Sequence, residues 1–197
     1  MGRAGWLLLS LLALDARAAD AYRIEPEQTR VSFDVRRFGV HWIDARFRQV
    51  EGIFIVDRGG PGNQIDVRVR TDSLEGLDAF WNRRLRSGEW LDTQRFPQMR
   101  FRSTHVEFRQ DGSAVAVGQL TLHGVSHPVL LEINQLDCPA PRQSCGFAAH
   151  ANIRRSDFGL PHGFWVAGDA VEISIAGLAT RQDTRLTAAS TLPSSPD

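Results

Sequence analysis

The chain has 197 residues, 42% of them apolar and 23% charged, with 17 Gly and 9 Pro. That composition excludes collagen-like, highly charged disordered and polytopic membrane chains, and it suits one domain with a substantial core. Its 23 basic and 23 acidic side chains balance, so no net field draws it to nucleic acid or an anionic bilayer, and every basic residue is Arg, which excludes chemistry that needs a lysine amine.

At the start of the chain Arg3 precedes an apolar run from Trp6 to Leu14, and Ala16-Arg17-Ala18 places small residues where a signal peptidase cuts. The run is shorter than the roughly twenty residues that span a bilayer. The expectation is a cleaved secretory signal over 1–18 and a periplasmic destination, with an uncleaved anchor as the alternative. A single domain over 19–180 and a disordered polar tail over 181–197 complete the expected division.

From Tyr22 onward the main signal is alternation with period two. Val31, Phe33 and Val35 alternate with polar residues, as do Ile65, Val67 and Val69. Further strands are expected over 50–56, around Met99, Phe101 and Ser103, and over 114–122. Val129, Leu131 and Ile133 form another stripe, blurred by Leu130. Phe147, Ala149, Ala151 and Ile153 form the next, and Val171, Ile173 and Ile175 the last. The turns between them carry Gly59-Gly60-Pro61-Gly62, Asp111-Gly112 and His123-Gly124. One segment has helical spacing: Leu77, Phe80, Trp81, Arg84 and Leu85 share a face, and Asp72 with Glu75 is the expected cap. About eight strands and one helix point to an antiparallel barrel or sandwich. Closure into a barrel is favoured because it removes exposed edges.

Cys138 and Cys145 flank one tight loop, and in an oxidising compartment they are expected to form a disulfide. A search for catalytic spacing returns little. His123 and His127 are four apart, but Gly124 and Pro128 place them around a turn rather than on a helix face. No Gly-x-Ser-x-Gly elbow occurs. The expectation is no enzyme, no metal and no cofactor beyond a bound polyisoprenoid, quinone or fatty amphiphile.

Four motifs carry a resemblance. Leu85 to Ser103 contains Gly88-Glu89-Trp90-Leu91-Asp92 and Phe96-Pro97-Gln98-Met99. Gly118-Gln119-Leu120-Thr121-Leu122-His123-Gly124-Val125 with Pro128-Val129 is the second, Arg155-Ser156-Asp157-Phe158-Gly159 the third, and Gly168 to Ile175 the last. Together with Tyr22 to Pro26 and Val31 to Val35 they resemble the YceI-like, polyisoprenoid-binding family over about 21–178. Departures fall at Trp81-Asn82, Ala45-Arg46-Phe47 and Arg37.

The resemblance implies an all-β fold, an antiparallel eight-stranded lipocalin-like barrel with one short helix near a mouth, holding a long isoprenoid or similar amphiphile. The expected wall is the inward stripe: Phe33, Val35, Val67, Val69, Met99 and Phe101 from the first half of the chain. From the second half it takes Leu120, Leu122, Val129, Leu131, Ile133, Ile153 and Ile173. Trp81 is expected as a lid, Phe158 as a further contact, and Arg154, Arg155 and Asp157 as candidates for the head group. Transient membrane contact and a homodimer are compatible with this reading, and nucleic acid is not. The competing readings are a structural or stress-response interaction protein whose interior is filled by its own side chains, and a metal-dependent periplasmic enzyme.

Overall fold

The computed structural model describes residues 19–37, 40–57, 60–76, 78–139, 141–161 and 168–182, with backbone only at 36–37 and 40–44. The expected signal at 1–18, the tail beyond 182, Leu77 and His162 lie outside the described residues.

Eleven strands follow one another: β1 (Asp20–Ile24), β2 (Arg30–Arg37), β3 (Val40–Phe47), β4 (Val50–Val56), β5 (Gln64–Arg70), β6 (Leu74–Glu75), β7 (Gln98–Phe108), β8 (Ala114–Leu122), β9 (Val125–Asp137), β10 (Ser144–Arg154) and β11 (Ala170–Arg181). One helix, α1 (Ala79–Arg86), lies between β6 and β7. All pairings are antiparallel. The hydrogen-bonded ring β1-β4-β5-β7-β8-β9-β10-β11 closes on itself through β1 and β11, an eight-strand barrel.

The remaining three strands extend this ring. β2 continues β1 along β11: Ile24 pairs Ala179, and beyond a 3-10 turn at Pro26–Gln28, Val31 pairs Ile175. In the same way β3 extends β4, and β6 extends β5. The breaks sit at one level, tied by the Arg48 N–H to the Ser73 carbonyl (3.3 Å) and the Arg70 N–H to the Gln49 carbonyl (2.9 Å). Where the 3-10 turn crosses β11, Gly177 is required, because a Cβ there would lie 2.8 Å from the Thr29 Cβ and closer to its hydroxyl.

Each of the eight segments expected from alternation falls in a different strand of the closed ring or its extension. β3 was not among them: its alternation is broken in phase, and its register with β2 shifts between Val35 and Arg36, so Trp42 is skipped. Leu130, out of phase with its neighbours, is 47% exposed. The expected turns at Asp111-Gly112 and His123-Gly124 form, with His123 and Gly124 both at positive φ, while Gly59 lies outside the described residues.

We call upper the end that carries β2, β3, β6 and α1, and lower the end that carries the Cys138–Cys145 disulfide, which forms as expected. At the lower end Cys145 is fully buried beside Tyr22, Val56 and Ala179, and the Tyr22 ring stacks on Phe54 with centroids 5.0 Å apart. The bridge closes a loop of about eight residues, for which chain entropy gives about 2.5 kcal/mol of stabilisation. The Cys138→Ser, Cys145→Ser double variant is expected to lose about that much unfolding free energy, read as a lower urea midpoint. Equal midpoints for the two proteins would contradict it.

Candidate functional site

Among the described residues, the inward side chains of the barrel line two apolar chambers, an upper and a lower one. The upper, about 70 Å³, is bordered by Phe33 and Val35 of β2, Met99 of β7, Leu122 of β8, Ile153 of β10 and Ile173 of β11. These six were expected from alternation. The lower, about 60 Å³, is bordered by Val67 of β5 and by Leu131 and Ile133 of β9, which were also expected. Val69, Phe101, Leu120 and Val129 point inward as expected but border neither chamber.

The top of the upper chamber is closed by a segment that periodicity did not single out. β6 pairs only with β3 and leaves its other edge open toward β7. The chain between them turns into α1 and a run of tight turns, which bring Leu85, Trp90 and Leu91 to the chamber. α1 begins at Asp78, whose carboxylate accepts the Trp81 N–H at 2.9 Å, so the cap is neither Asp72 nor Glu75. Those two lie in a 3-10 turn and in β6. The Arg86 guanidinium donates to the Leu74 carbonyl, supplying the open edge of β6 with a donor that no strand provides.

This corrects the expected lid. Trp81 is half-buried, its ring set edge-on against Phe80 at 5.7 Å, and it borders neither chamber. Phe80 is 56% exposed. Trp90, eight residues after the Asn82 that follows Trp81 in α1, is the tryptophan that covers the chamber, only 7% exposed.

Among the described residues, one charged side chain borders the upper chamber. Arg155 is 4% exposed, its Nε donates to the Gly168 carbonyl at 3.0 Å, and its guanidinium lies over the Trp90 ring, 5.3 Å from the centroid. Burial pushes it below the usual arginine range, and Asp169 opposes that shift. It stays a cation, because nothing in a protein takes the proton from a guanidinium. Asp169 also fixes the turn that aims it: its backbone carbonyl accepts the Arg155 N–H, and its carboxylate accepts the Ser156 N–H and hydroxyl, both at 2.8 Å. Of the other head-group candidates, Arg154 is exposed and Asp157 half-buried, and neither borders a chamber. Phe158 is buried beneath the turn, 6.0 Å from the His127 ring, and also borders neither.

The outer wall holds one arrangement with a catalytic look. Glu132, His150 and Ser174 stand in register across β9, β10 and β11. The imidazole Nε2 lies 2.9 Å from Glu132, and Nδ1 lies 3.0 Å from the Asn134 amide nitrogen. The partners assign an Nε2–H donated to Glu132 and an Nδ1 that accepts from Asn134. In a hydrolytic triad the nitrogen opposite the acid faces the hydroxyl, whereas here Asn134 takes that position. Among the described residues no three His, Cys, Asp or Glu side chains are placed to hold a metal ion, and His123 packs instead against the Phe96 ring at 4.6 Å.

A closed up-and-down antiparallel barrel with an apolar interior and a helix over one mouth is lipocalin-like in architecture. Solved structures share it: Burkholderia cenocepacia BcnA aligns with a TM-score of 0.72 at 19% identity, over 80% of this chain and 99% of that one. A polyisoprenoid binding domain from Saccharophagus degradans aligns with 0.60 at 13% identity, over 82% and 98%.

Residues 22–179 match the model of the YceI-like domain, and the chain belongs to that family. Protein YceI of Salmonella arizonae is 33% identical over 179 residues, covering 87% of this chain and 93% of its own. A UPF0312 protein of Enterobacter is 35% identical over 168 residues, covering 82% and 86%.

Proposed function

We propose that the protein is a periplasmic binding or carrier protein for an isoprenoid or related amphiphilic lipid whose tail lies in the barrel interior. The observation that carries this reading is the upper chamber: every described residue that borders it is apolar except Arg155. Such a lining offers a hydrocarbon tail full contact and one fixed donor group for an oxygen on its head, where a charge-assisted hydrogen bond is strong because water is excluded. The polyisoprenoid-binding domain that shares the fold supports the class of ligand, and the disulfide supports an oxidising compartment.

Burying a five-carbon isoprene unit gains on the order of 4 kcal/mol relative to water, but a bilayer gives the tail the same gain. Exchange between membrane and barrel is then close to neutral, which suits a carrier, and the head-group contact decides the balance. The exposed Phe80, beside Arg83 and Arg84 on α1, supports brief contact with a membrane at that end. At about 70 Å³ the chamber is under half the volume of a ~150 Å³ apolar void that admits benzene, so its wall yields as the tail enters. Met99 is the side chain best suited to do so.

The test is titration of delipidated protein with an isoprenoid quinone, read by quenching of tryptophan fluorescence. Saturable binding is expected. Ile173→Arg, which sets a charge in the chamber wall, is expected to raise Kd roughly tenfold or more with unchanged circular dichroism. Absence of saturable quenching in the wild type would overturn the reading.

A further inference from the structure

The division of the interior follows the same order along two strands. On β7, Met99 borders the upper chamber, Phe101 neither, and Val106 the lower; on β10, Ile153 borders the upper, Ala151 neither, and Ala149 the lower. Phe101, with Leu120 opposite it on β8, therefore stands between the chambers on this side of the barrel, whereas on β11 the successive inward residues Ile173 and Ile175 border one chamber each. The Phe101 ring is seated where β8 has no side chain: a Cβ on Gly118 would lie 2.8 Å from the Phe101 Cζ.

Beyond Phe101 the lower chamber reaches toward the disulfide end. Val56, Val106, Phe108 and Leu136 border both it and an outer groove of about 870 Å³ at the disulfide end. Phe108, 38% exposed, forms part of the lip. The groove is polar and carries both signs, with Arg109 and Arg142 facing it together with Glu107 and Asp137. An apolar chamber that shares four wall residues with a groove of mixed charge matches an amphiphile with one tail and a zwitterionic head.

We propose that the lower chamber and its groove are a second amphiphile site, entered from the disulfide end and kept separate from the upper site by Phe101. The proposal rests on the reading of the barrel as a lipid binder and adds to it a second ligand and a residue that limits tail length.

The experiment uses delipidated full-length protein and n-alkylphosphocholines below their critical micelle concentrations, with bound ligand counted by native mass spectrometry. The wild type is expected to bind two decyl chains per barrel. Phe108→Arg, a change at the exposed lip, is expected to leave one. Phe101→Ala joins the chambers, so binding of a hexadecyl chain is expected to strengthen about tenfold relative to decyl, with Phe101→Leu intermediate should the alanine variant fold poorly.

One decyl chain in the wild type that Phe108→Arg does not remove, or an unchanged chain-length preference in both Phe101 variants, overturns the second site and leaves the upper one standing. Failure of the wild type to bind any chain overturns both.

Discussion

Trp90→Ala is expected to lower the unfolding free energy by about 3–5 kcal/mol, and Trp81→Ala by less than about 1.5 kcal/mol. Both are tryptophans of the segment between β6 and β7, and the helical spacing favours Trp81. The difference comes from what each touches. Trp90 is 7% exposed, walls the upper chamber and lies beneath the Arg155 guanidinium. Removing it enlarges an apolar void, deletes a cation–π contact and leaves a buried cation without the ring below it. Trp81 is half-buried on α1 against a Phe80 that is itself mostly in solvent. Urea midpoints of the two delipidated variants at constant slope decide the matter. In the lipid-loaded protein Trp90→Ala should also speed ligand release, since losses within one interface act mostly on the off-rate. Equal midpoint losses for the two variants would show that the mouth is closed differently.

The second large effect falls at a glycine. In most strands Gly→Ala stabilises by about 0.5–1 kcal/mol, because glycine has more freedom to lose on folding. Gly118→Ala is expected to destabilise instead, by about 1–3 kcal/mol, since the new methyl meets the Arg102 carbonyl oxygen, the Ser103 Cα at 2.8 Å and the Phe101 ring edge at 2.8 Å. The backbone contacts cannot move without disturbing the β7–β8 ladder, but the ring contact can. In the Gly118→Ala, Phe101→Ala double variant the losses should therefore sum to less than those of the single variants. Chemical denaturation of the three proteins measures this, and strict additivity would mean that the ring does not sit over Gly118.

The barrel was legible because several of its strands alternate: in β2, β5 and β10 the inward positions read directly from period two. β1 and β6 escaped notice for a different reason than β3 did. They are short, five and two residues, too brief to show a period, whereas β3 carries a phase break at its irregular register with β2. α1 was legible as a helix, but of the described residues on its expected face only Leu85 is buried, and its cap was misplaced because Asp72 and Asp78 offer the same side chain and only the strand pairing of Glu75 separates them.

The site was less legible than the fold. Phe33, Met99, Leu122 and Ile173 reach the upper chamber because alternation sends them inward. Trp90 lies in tight turns, where no period exists to read. Arg155 was one of three polar candidates, and what sets it apart from Arg154 is the turn fixed by Asp169, a contact from thirteen or more residues along the chain. The place of Phe101 between the chambers was not legible at all. Phe101 alternates like any wall residue, and its role depends on the missing side chain of Gly118 on the neighbouring strand.

The most direct test of lipid carriage is native mass spectrometry of the protein isolated from its producing cells without detergent. A polypeptide mass raised by a discrete increment, removed by organic extraction and identified in the extract as an isoprenoid or related amphiphile, is the outcome this account requires. A bare polypeptide mass, unchanged after the protein is offered an isoprenoid quinone, would contradict it and favour a barrel filled by its own side chains.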